Sequence, residues 1–229
     1  MPVMDEFQEE REKIKTASPE KKWQYFKDYY LKWVIGIGIG AVIVIYFVVS
    51  IITKKDDVLS VLFINFAELP SAEEQVLQPF TEKYVEDPKK QQILLDTSSH
   101  ISAGEVSDNA ANYMKYGYED EERVMALAYS GGIDLMISGQ DVIERYMEAE
   151  WFIPLDGVLD ADTLAQYDAE GRLLYFEDVP VAVCVDTAKL LNDNYIYDGE
   201  GTPSLYAAFG GGSKHMELAV EFLKFILQS

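Results

Sequence analysis

The sequence is poor in the residues that most often carry catalysis or bind metals. It contains one cysteine, Cys184, and two histidines, His100 and His215. A single cysteine excludes a disulfide within the chain. Neither histidine has a serine, cysteine or carboxylate at a recognisable catalytic spacing, so we expect no catalytic residues and no enzyme activity. Cys184 lies in the apolar run PVAVCV, which predicts a buried structural thiol.

Positive charge is also scarce over most of the chain. Residues 1–32 carry seven acidic and seven basic side chains, whereas the residues after 53 carry 33 acidic and 12 basic ones, which accounts for the net charge of −21. Such a surface repels nucleic acid phosphates and anionic lipid headgroups, and it attracts cations or a basic partner. We therefore expect no nucleic acid partner. The same charge also promotes solubility, which is the simpler interpretation.

One long stretch lacks charge altogether, from Trp33 to Ile52 (WVIGIGIGAVIVIYFVVSII). At ~1.5 Å per helical residue it is long enough to cross the ~30 Å hydrocarbon core of a bilayer. We predict one transmembrane helix over residues 33–53, which contacts the lipid bilayer. A cleaved signal peptide is the alternative, but its apolar region would be shorter and a small-x-small cleavage site would come after it.

The charges that flank the predicted helix favour one orientation. Four lysines precede it within residues 21–32, whereas the two that come after it, Lys54 and Lys55, stand next to two aspartates. Because cytoplasmic flanks carry the lysine excess, we predict a cytoplasmic helical tail over residues 1–32 and an extracytoplasmic domain over residues 54–229. In the tail, Ser18 and Pro19 predict the N-cap and first position of a helix.

Glycines inside the apolar stretch match two motifs. Gly36 and Gly40 fit the small-xxx-small pattern with which membrane helices pack, which would permit a homodimer. Gly36, Gly38 and Ala41 also match a dinucleotide-binding pattern. That second pattern requires a preceding strand and a following helix N-terminus, and a membrane helix offers neither. We therefore expect no cofactor, and glycine is in any case common in membrane helices.

The residues after 57 alternate between strand and helix patterns. Apolar, β-branched and aromatic runs predict strands at 58–66, 92–97, 133–138, 172–176, 180–185 and 204–209. Helical patterns fall at 71–84, 119–129, 140–150 and 213–227. Ser71 begins a capping box, and Ser213 is the expected N-cap of the last helix. This order predicts an α/β domain with a mainly parallel sheet and flanking helices.

The carboxyl ends of parallel strands are where open α/β sheets bind ligands. Helix N-termini at two of these ends also offer backbone N–H donors. Loops are polar in any protein, so a purely connecting role is an equal alternative. The candidate ligand-binding residues at these ends are Asn65, Phe66, Glu68, Thr97, Ser98, Ser99, Ser138, Gly139 and Gln140.

A metal site is not expected from the remaining acidic residues. Four aspartates lie within a short stretch, but their spacing does not match a calcium-binding EF-hand loop. They are Asp156, Asp160, Asp162 and Asp168.

Four stretches resemble the extracellular solute-binding proteins of the type II periplasmic-binding class, which serve ABC importers. Leu77–Tyr84 is similar to the end of their first helix, and Gly132–Gly139 to the strand after their second helix. Phe152–Asp156 resembles their element of two apolar residues followed by Pro-Leu, and Ser213–Leu227 resembles a late helix. The resemblance covers most of residues 58–229. It implies an α/β lobe and a non-catalytic, membrane-anchored binding module for a small solute.

The chain departs from that class in one large respect. Such proteins have two lobes that close on the ligand, and the second lobe is inserted after a segment like Pro180–Leu191. Here only Asn192–Pro203 separates that segment from Ser204. One lobe buries little of a small ligand. An accessory or structural subunit that docks another membrane protein or a transporter is therefore the alternative function, and a hydrolase whose carboxylates meet only in the fold is a third.

Overall fold

The computed structural model describes residues 15, 17–101, 118–199, 201 and 203–228. The chain divides into two compact units, residues 1–54 and 55–229. Most of the predicted helical tail before Ser18 lies outside the described residues. The first unit contains helix α1 (Pro19–Tyr25), a π-helical segment (Phe26–Tyr30) and helix α2 (Leu31–Thr53).

Helix α1 begins where the sequence predicts it. Pro19 lies in the first turn, where its missing N–H costs nothing. Ser18 is the N-cap with extended backbone angles, but its side chain makes no capping hydrogen bond. Helix α2 has 23 residues, none of them buried, and its length and composition suffice to cross a membrane; a signal sequence near the N-terminus meets the same test.

Among its described residues, the second unit contains eight strands, six α-helices, a π-helical segment (Glu73–Leu77) and a 3-10 turn (Leu155–Gly157). The strands are β1 (Asp56–Ile64), β2 (Phe66–Glu68), β3 (Gln91–Ser99), β4 (Leu135–Gly139), β5 (Leu173–Phe176), β6 (Val179–Cys184), β7 (Tyr195–Tyr197) and β8 (Leu205–Phe209). The helices are α3 (Gln78–Tyr84), α4 (Tyr118–Tyr129), α5 (Gln140–Met147), α6 (Ala161–Ala169), α7 (Lys189–Asn194) and α8 (Met216–Leu227). The α/β class predicted from the sequence is confirmed.

The main sheet has the strand order β3-β1-β4-β8-β6-β5. Strand β1 is parallel to β3 and β4, but β8 is antiparallel to both β4 and β6, and β5 is antiparallel to β6. The prediction of a mainly parallel sheet is therefore wrong, because the sheet is mixed. Hydrophobic runs reveal that a strand exists but not its direction, and β5 and β6 form a hairpin rather than a crossover.

The hairpin turn explains why the sequence pattern does not reveal this connection. Glu177 and Asp178 both have positive φ, 49° and 66°, as a two-residue type I′ turn requires. Asn-Gly and Asp-Gly are the usual residues of such turns. Glu-Asp lacks both the glycine and the asparagine of that signature. The sequence therefore predicts two strands but does not show that a tight turn joins them.

The sheet buries both of its faces, as the alternation along β1 illustrates. Val61 and Phe63 belong to the core cluster that α3, α7 and α8 cover. Leu62 and Ile64 belong to the cluster on the opposite face, against α4 and α5. Because successive strand residues point to opposite faces, a central strand covered on both sides is apolar throughout.

Phe63 is the residue at which we expect the largest loss of stability. It is fully buried, stacks on Tyr195 at 4.5 Å between ring centroids and meets Phe66 edge-on at 5.7 Å. Phe63→Ala should lower the free energy of unfolding by about 3–5 kcal/mol, because it removes these contacts and leaves a cavity. Leu94→Ala, at a 42 % exposed position, is the control and should cost less than ~1 kcal/mol. Urea unfolding of residues 55–229 measures both, and equal losses would contradict the packing described.

Candidate functional site

The structure brings the ends of β1, β3 and β4 to one edge of the sheet. Asn65 N–H donates to the Ser99 carbonyl at 3.0 Å, and Ser138 Oγ donates to the Ile64 carbonyl at 3.0 Å. Asn65, Ser99 and Ser138 are all buried. Of the nine predicted ligand-binding residues, these three thus lie together, but they lie beneath the surface of the edge.

Asn65 uses its whole amide within the domain. Its Nδ2 donates to the Ile101 carbonyl and its Oδ1 accepts from Ile101 N–H, both at 2.7 Å. Its backbone carbonyl accepts from Asp198 N–H at 2.9 Å. Asn65 has a left-handed backbone with φ of 62°, which asparagine tolerates better than most residues. The side chain therefore ties the end of β1 to the segment after β3.

Gly139 and Gln140 are likewise occupied by neighbours. A Cβ at Gly139 would lie 2.7 Å from each of Asp141 Oδ1, Pro203 Cγ and the Tyr197 hydroxyl. A side chain here would therefore displace neighbouring side chains, although the φ of −64° suits any residue. Gln140 N–H donates to the Ser204 carbonyl at 2.9 Å, and its Nε2 donates to Glu144 Oε1 at 2.7 Å. The end of β4 is therefore covered by the chain itself.

Phe66 and Glu68 lie in a small second sheet that the sequence did not predict. Strand β2 pairs antiparallel with β7, so that Glu68 faces Tyr195. Phe66 is buried and meets Tyr197 edge-on at 5.4 Å, whereas Glu68 is exposed. Three-residue strands are too short to produce an alternating pattern, which is why the sequence does not reveal this pair.

The most highly connected charged group at this edge is Arg123 on α4. Its guanidinium forms an ion pair with Asp96 and donates to Ser98 Oγ and, at 3.0 Å, to Ser99 Oγ. Ser98 also donates twice to Asp96 Oδ1, from N–H at 2.9 Å and from Oγ at 2.7 Å. The third predicted residue of β3, Thr97, is half-buried. The sequence pattern indicates the serines but not Asp96 and Arg123, which only the packing of α4 on β3 brings together.

This network sets the ionisation of Asp96. Burial raises the pKa of the carboxyl, but the hydrogen bonds from Ser98 and the Arg123 guanidinium outweigh it, so the pKa of Asp96 lies below its usual value. The Asp96 carboxylate therefore stays charged, and it remains bonded to Ser98 and Arg123.

A serine, a histidine and an aspartate also meet at the opposite end of the parallel strands. Buried Asp134 accepts from Ser213 Oγ at 2.6 Å and from Ser60 N–H at 2.8 Å, and His215 Nδ1 lies 3.3 Å from Asp134 Oδ2. A catalytic triad needs the histidine between serine and aspartate. Here the aspartate lies between the other two, so the arrangement joins β1, β4 and the start of α8. The prediction that Ser213 is the N-cap of α8 is wrong, because His215 occupies that position. The Ser213 hydroxyl donates to Asp134 instead.

Two of the four aspartates between residues 156 and 168 serve local structure. Asp160 caps α6, accepting from Thr163 N–H at 2.9 Å and Thr163 Oγ1 at 2.8 Å. Asp168 accepts from the Tyr175 hydroxyl at 2.6 Å. Among the described residues, no group of three or more His, Cys, Asp or Glu side chains is placed to hold a metal ion.

Four concave regions of the second unit lie away from the predicted site. Two shallow grooves of about 460 and 440 Å³ border the starts of β1 and β3. A third, of about 240 Å³, adjoins the β5–β6 hairpin, and a void of about 10 Å³ lies beside Trp151. The linings of these four regions include none of the nine predicted ligand-binding residues.

Asp96→Asn should reveal the charge network through its pH dependence. The folded-state pKa of Asp96 is lowered, so its ionised form contributes stability at neutral pH that is lost as the pH falls through the folded pKa. We expect the variant to be about 1–3 kcal/mol less stable than wild type at pH 7, with the difference shrinking below pH ~4. Glu148→Gln, at an exposed position, is the control. Urea unfolding at several pH values measures this, and a difference that does not vary with pH would contradict it.

Comparison with known proteins provides no relative: no family model, no curated protein and no solved structure matches this chain. Its function is therefore inferred from its own residues and contacts.

Proposed function

We propose that this protein is a membrane-anchored, non-catalytic docking module, whose extracytoplasmic α/β domain resembles one lobe of a solute-binding protein. Helix α2 anchors it in the cell membrane, with the N-terminal tail in the cytoplasm. The domain binds a protein partner in the membrane or at its surface. This is the accessory-subunit function that the sequence leaves open as an alternative. It keeps the resemblance to one lobe of a solute-binding protein.

The observation that carries this proposal is the occupation of the strand-end residues by the domain itself. The side chain of Asn65 is hydrogen-bonded to the backbone of Ile101, and that of Ser138 to the backbone of Ile64. Phe66 is buried. A site that selects a small solute needs convergent polar groups that remain available to the ligand. Most of the predicted groups at this edge are already bonded within the chain, which favours a structural role for them.

The connection between α7 and β8 supports the same conclusion. In the resembling class, a second lobe is inserted in this part of the chain. Here Tyr195–Tyr197 forms β7 and pairs with β2. The next residue, Asp198, donates its backbone N–H to the Asn65 carbonyl. The short connection is thus integrated into the single domain. A partner that completes the domain would need to come from another chain.

A catalytic function receives no support from the ionisable groups. The alternative hydrolase requires a carboxyl group whose pKa is raised. Among the described residues, the carboxyl groups with a clear shift are Asp96, Asp160 and Glu170, and the pKa of each is lowered. Burial also raises the pKa of the Tyr195 hydroxyl, with a further contribution from Glu68 and Glu73, so this phenol stays protonated. Hydrogen bonds to neighbours lower the pKa of the three carboxyl groups, which favours a structural role for them over acid–base chemistry.

Binding of a small solute is the second candidate, and the strained backbone of Asn65 favours it. Left-handed backbone at a residue other than glycine often accompanies functional sites. Asn65 stands where ligands bind in open α/β sheets. Two chains paired through Gly36 and Gly40 would place two lobes in one assembly, which is how a homodimer would enclose a solute.

Cross-linking and thermal stability together separate the two candidates. The tagged full-length chain is cross-linked in its native membrane and purified, beside a tagged control of residues 1–54. The same full-length chain, in nanodiscs, is heated with amino acids, sugars and polyamines. We expect a stoichiometric membrane partner that is absent from the control, and no rise in Tm with any solute. A clear rise in Tm without a stable partner would support solute binding instead.

Protease treatment of intact cells tests the proposed orientation. The domain should be digested from outside, whereas an epitope placed in the N-terminal tail should survive, because the lysine-rich flank stays in the cytoplasm. Permeabilised cells, in which both parts become accessible, are the control. Loss of the tail epitope with protection of the domain in intact cells would reverse the orientation.

A further inference from the structure

The terminal strand β5 offers an open backbone edge. Within the described residues, Leu173–Phe176 pairs only with β6, and no other backbone hydrogen bond reaches these four residues. The strand reads LLYF and carries no charged side chain. Exposed edges of natural sheets are usually protected by lysine, proline or a covering segment. The other terminal strand, β3, is more polar, and Arg123 binds its end.

An apolar groove of about 240 Å³ adjoins this edge. The hairpin contributes Phe176, Val179 and Val181, and the segment around the end of α5 contributes Met147, Phe152 and Pro154. Val179 is 38 % exposed and Tyr175, on the edge itself, is 46 % exposed. Pockets for drug-sized molecules usually measure ~300–1,000 Å³. The groove is thus suited to one or two apolar side chains rather than to a whole solute.

Two carboxylates stand at the rim of the groove. Glu150 and Glu177 line it, both are exposed, and within the described residues no ion pair engages either of them. The positive φ of Glu177, 49°, belongs to the type I′ turn, and that of Glu150, 57°, to the turn that ends α5. Both glutamates are thus held at the surface by turns beside the groove.

We propose that the β5 edge and this groove dock an extended peptide segment of the partner, one in which an apolar residue and a lysine or arginine stand two positions apart and therefore face the same side. This inference rests on the proposed docking function and identifies the surface that binds the partner. The segment pairs with β5 as an added strand, places an apolar side chain in the groove and sets its cationic side chains against Glu150 and Glu177. Backbone hydrogen bonds provide affinity, and the groove and rim provide selectivity.

Charge decides between this occupant and a second copy of the chain. Pairing β5 with its counterpart around a two-fold axis would bring two strongly acidic domains together, and like charges disfavour association. The domain as a whole is strongly acidic, with 33 acidic and 12 basic residues after position 53. A basic segment is complementary to the rim, whereas another copy of this domain is not.

The test measures binding of a defined peptide to the full chain in nanodiscs. The probe is a fluorescein-labelled eight-residue peptide in which leucine and lysine alternate along one face of the strand and threonine occupies the other face. One control peptide replaces every lysine by glutamate, and another carries N-methyl groups on alternate amides, which blocks strand pairing. Fluorescence anisotropy measures binding to wild type, Val179→Trp, which fills the groove, and Glu177→Lys, which reverses a rim charge. Glu74→Lys makes the same charge change at an exposed position that lines none of the four concave regions.

We expect wild type and Glu74→Lys to bind the lysine peptide alike, and Val179→Trp and Glu177→Lys to weaken it by about tenfold. Both control peptides should bind poorly. Circular dichroism must show that the variants remain folded. Equal binding by all four chains, binding of the N-methylated peptide, or no binding to wild type would overturn the proposal. Dimers that Val179→Trp dissociates and Glu177→Lys leaves intact would identify a second copy as the occupant and overturn it as well.

The membrane cross-linking experiment, repeated with these variants, separates the two levels of inference. Loss of the partner from Val179→Trp and Glu177→Lys, with its retention by Glu74→Lys, supports the β5 surface. Retention by all variants leaves the docking function intact and excludes this surface. Absence of any partner in wild type removes the docking function itself.

Discussion

Strand β8 is the link on which the domain depends, because within the described sheet it alone joins the parallel strands to the β5–β6 hairpin. It forms antiparallel ladders with β4 on one side and β6 on the other. Its residues Ala207, Ala208 and Phe209 are all fully buried, so both faces of the sheet pack around it. Each buried N–H and C=O needs a partner, and without β8 the facing edges of β4 and β6 would have none.

Strand β8 also positions the segment that leads into α8. Gly210 N–H bonds to the Asp134 carbonyl, and Ser213 then reaches the Asp134 carboxylate before α8 begins. Gly131, with φ of 67°, lies against Gly212, and a Cβ there would meet the Gly212 carbonyl, so glycine is required by both angle and space. One buried carboxylate thus holds the start of β4 and the approach to α8 together, which gives the serine–histidine–aspartate cluster a structural role.

Two surfaces of the domain contrast in how their polar groups are used. At the carboxyl end of the parallel strands, Asn65, Ser138 and Asp96 bond to neighbours within the chain. At the β5 edge, by contrast, one side of the strand's backbone is unpaired and no ion pair engages Glu150 or Glu177 within the described residues. An unpaired strand edge is a surface on which another chain can add a strand. This difference is the physical reason to look for a partner at the edge of the sheet rather than at its strand ends.

The sequence alone determined the apolar helix, the α/β class and the presence of most strands and long helices, because these depend on local runs and periodicity, as in Val58–Phe66 and Ser213–Leu227. It also led to the strand-end residues as a group. Only the tertiary structure decided the direction of β5 and β8, the pairing of β2 with β7, and the bonds between Arg123 and Asp96. Strand direction and such pairs depend on residues distant in the chain, and a turn such as Glu177–Asp178 carries no glycine to reveal it. Burial then decided which polar residues near the strand ends are committed to the fold.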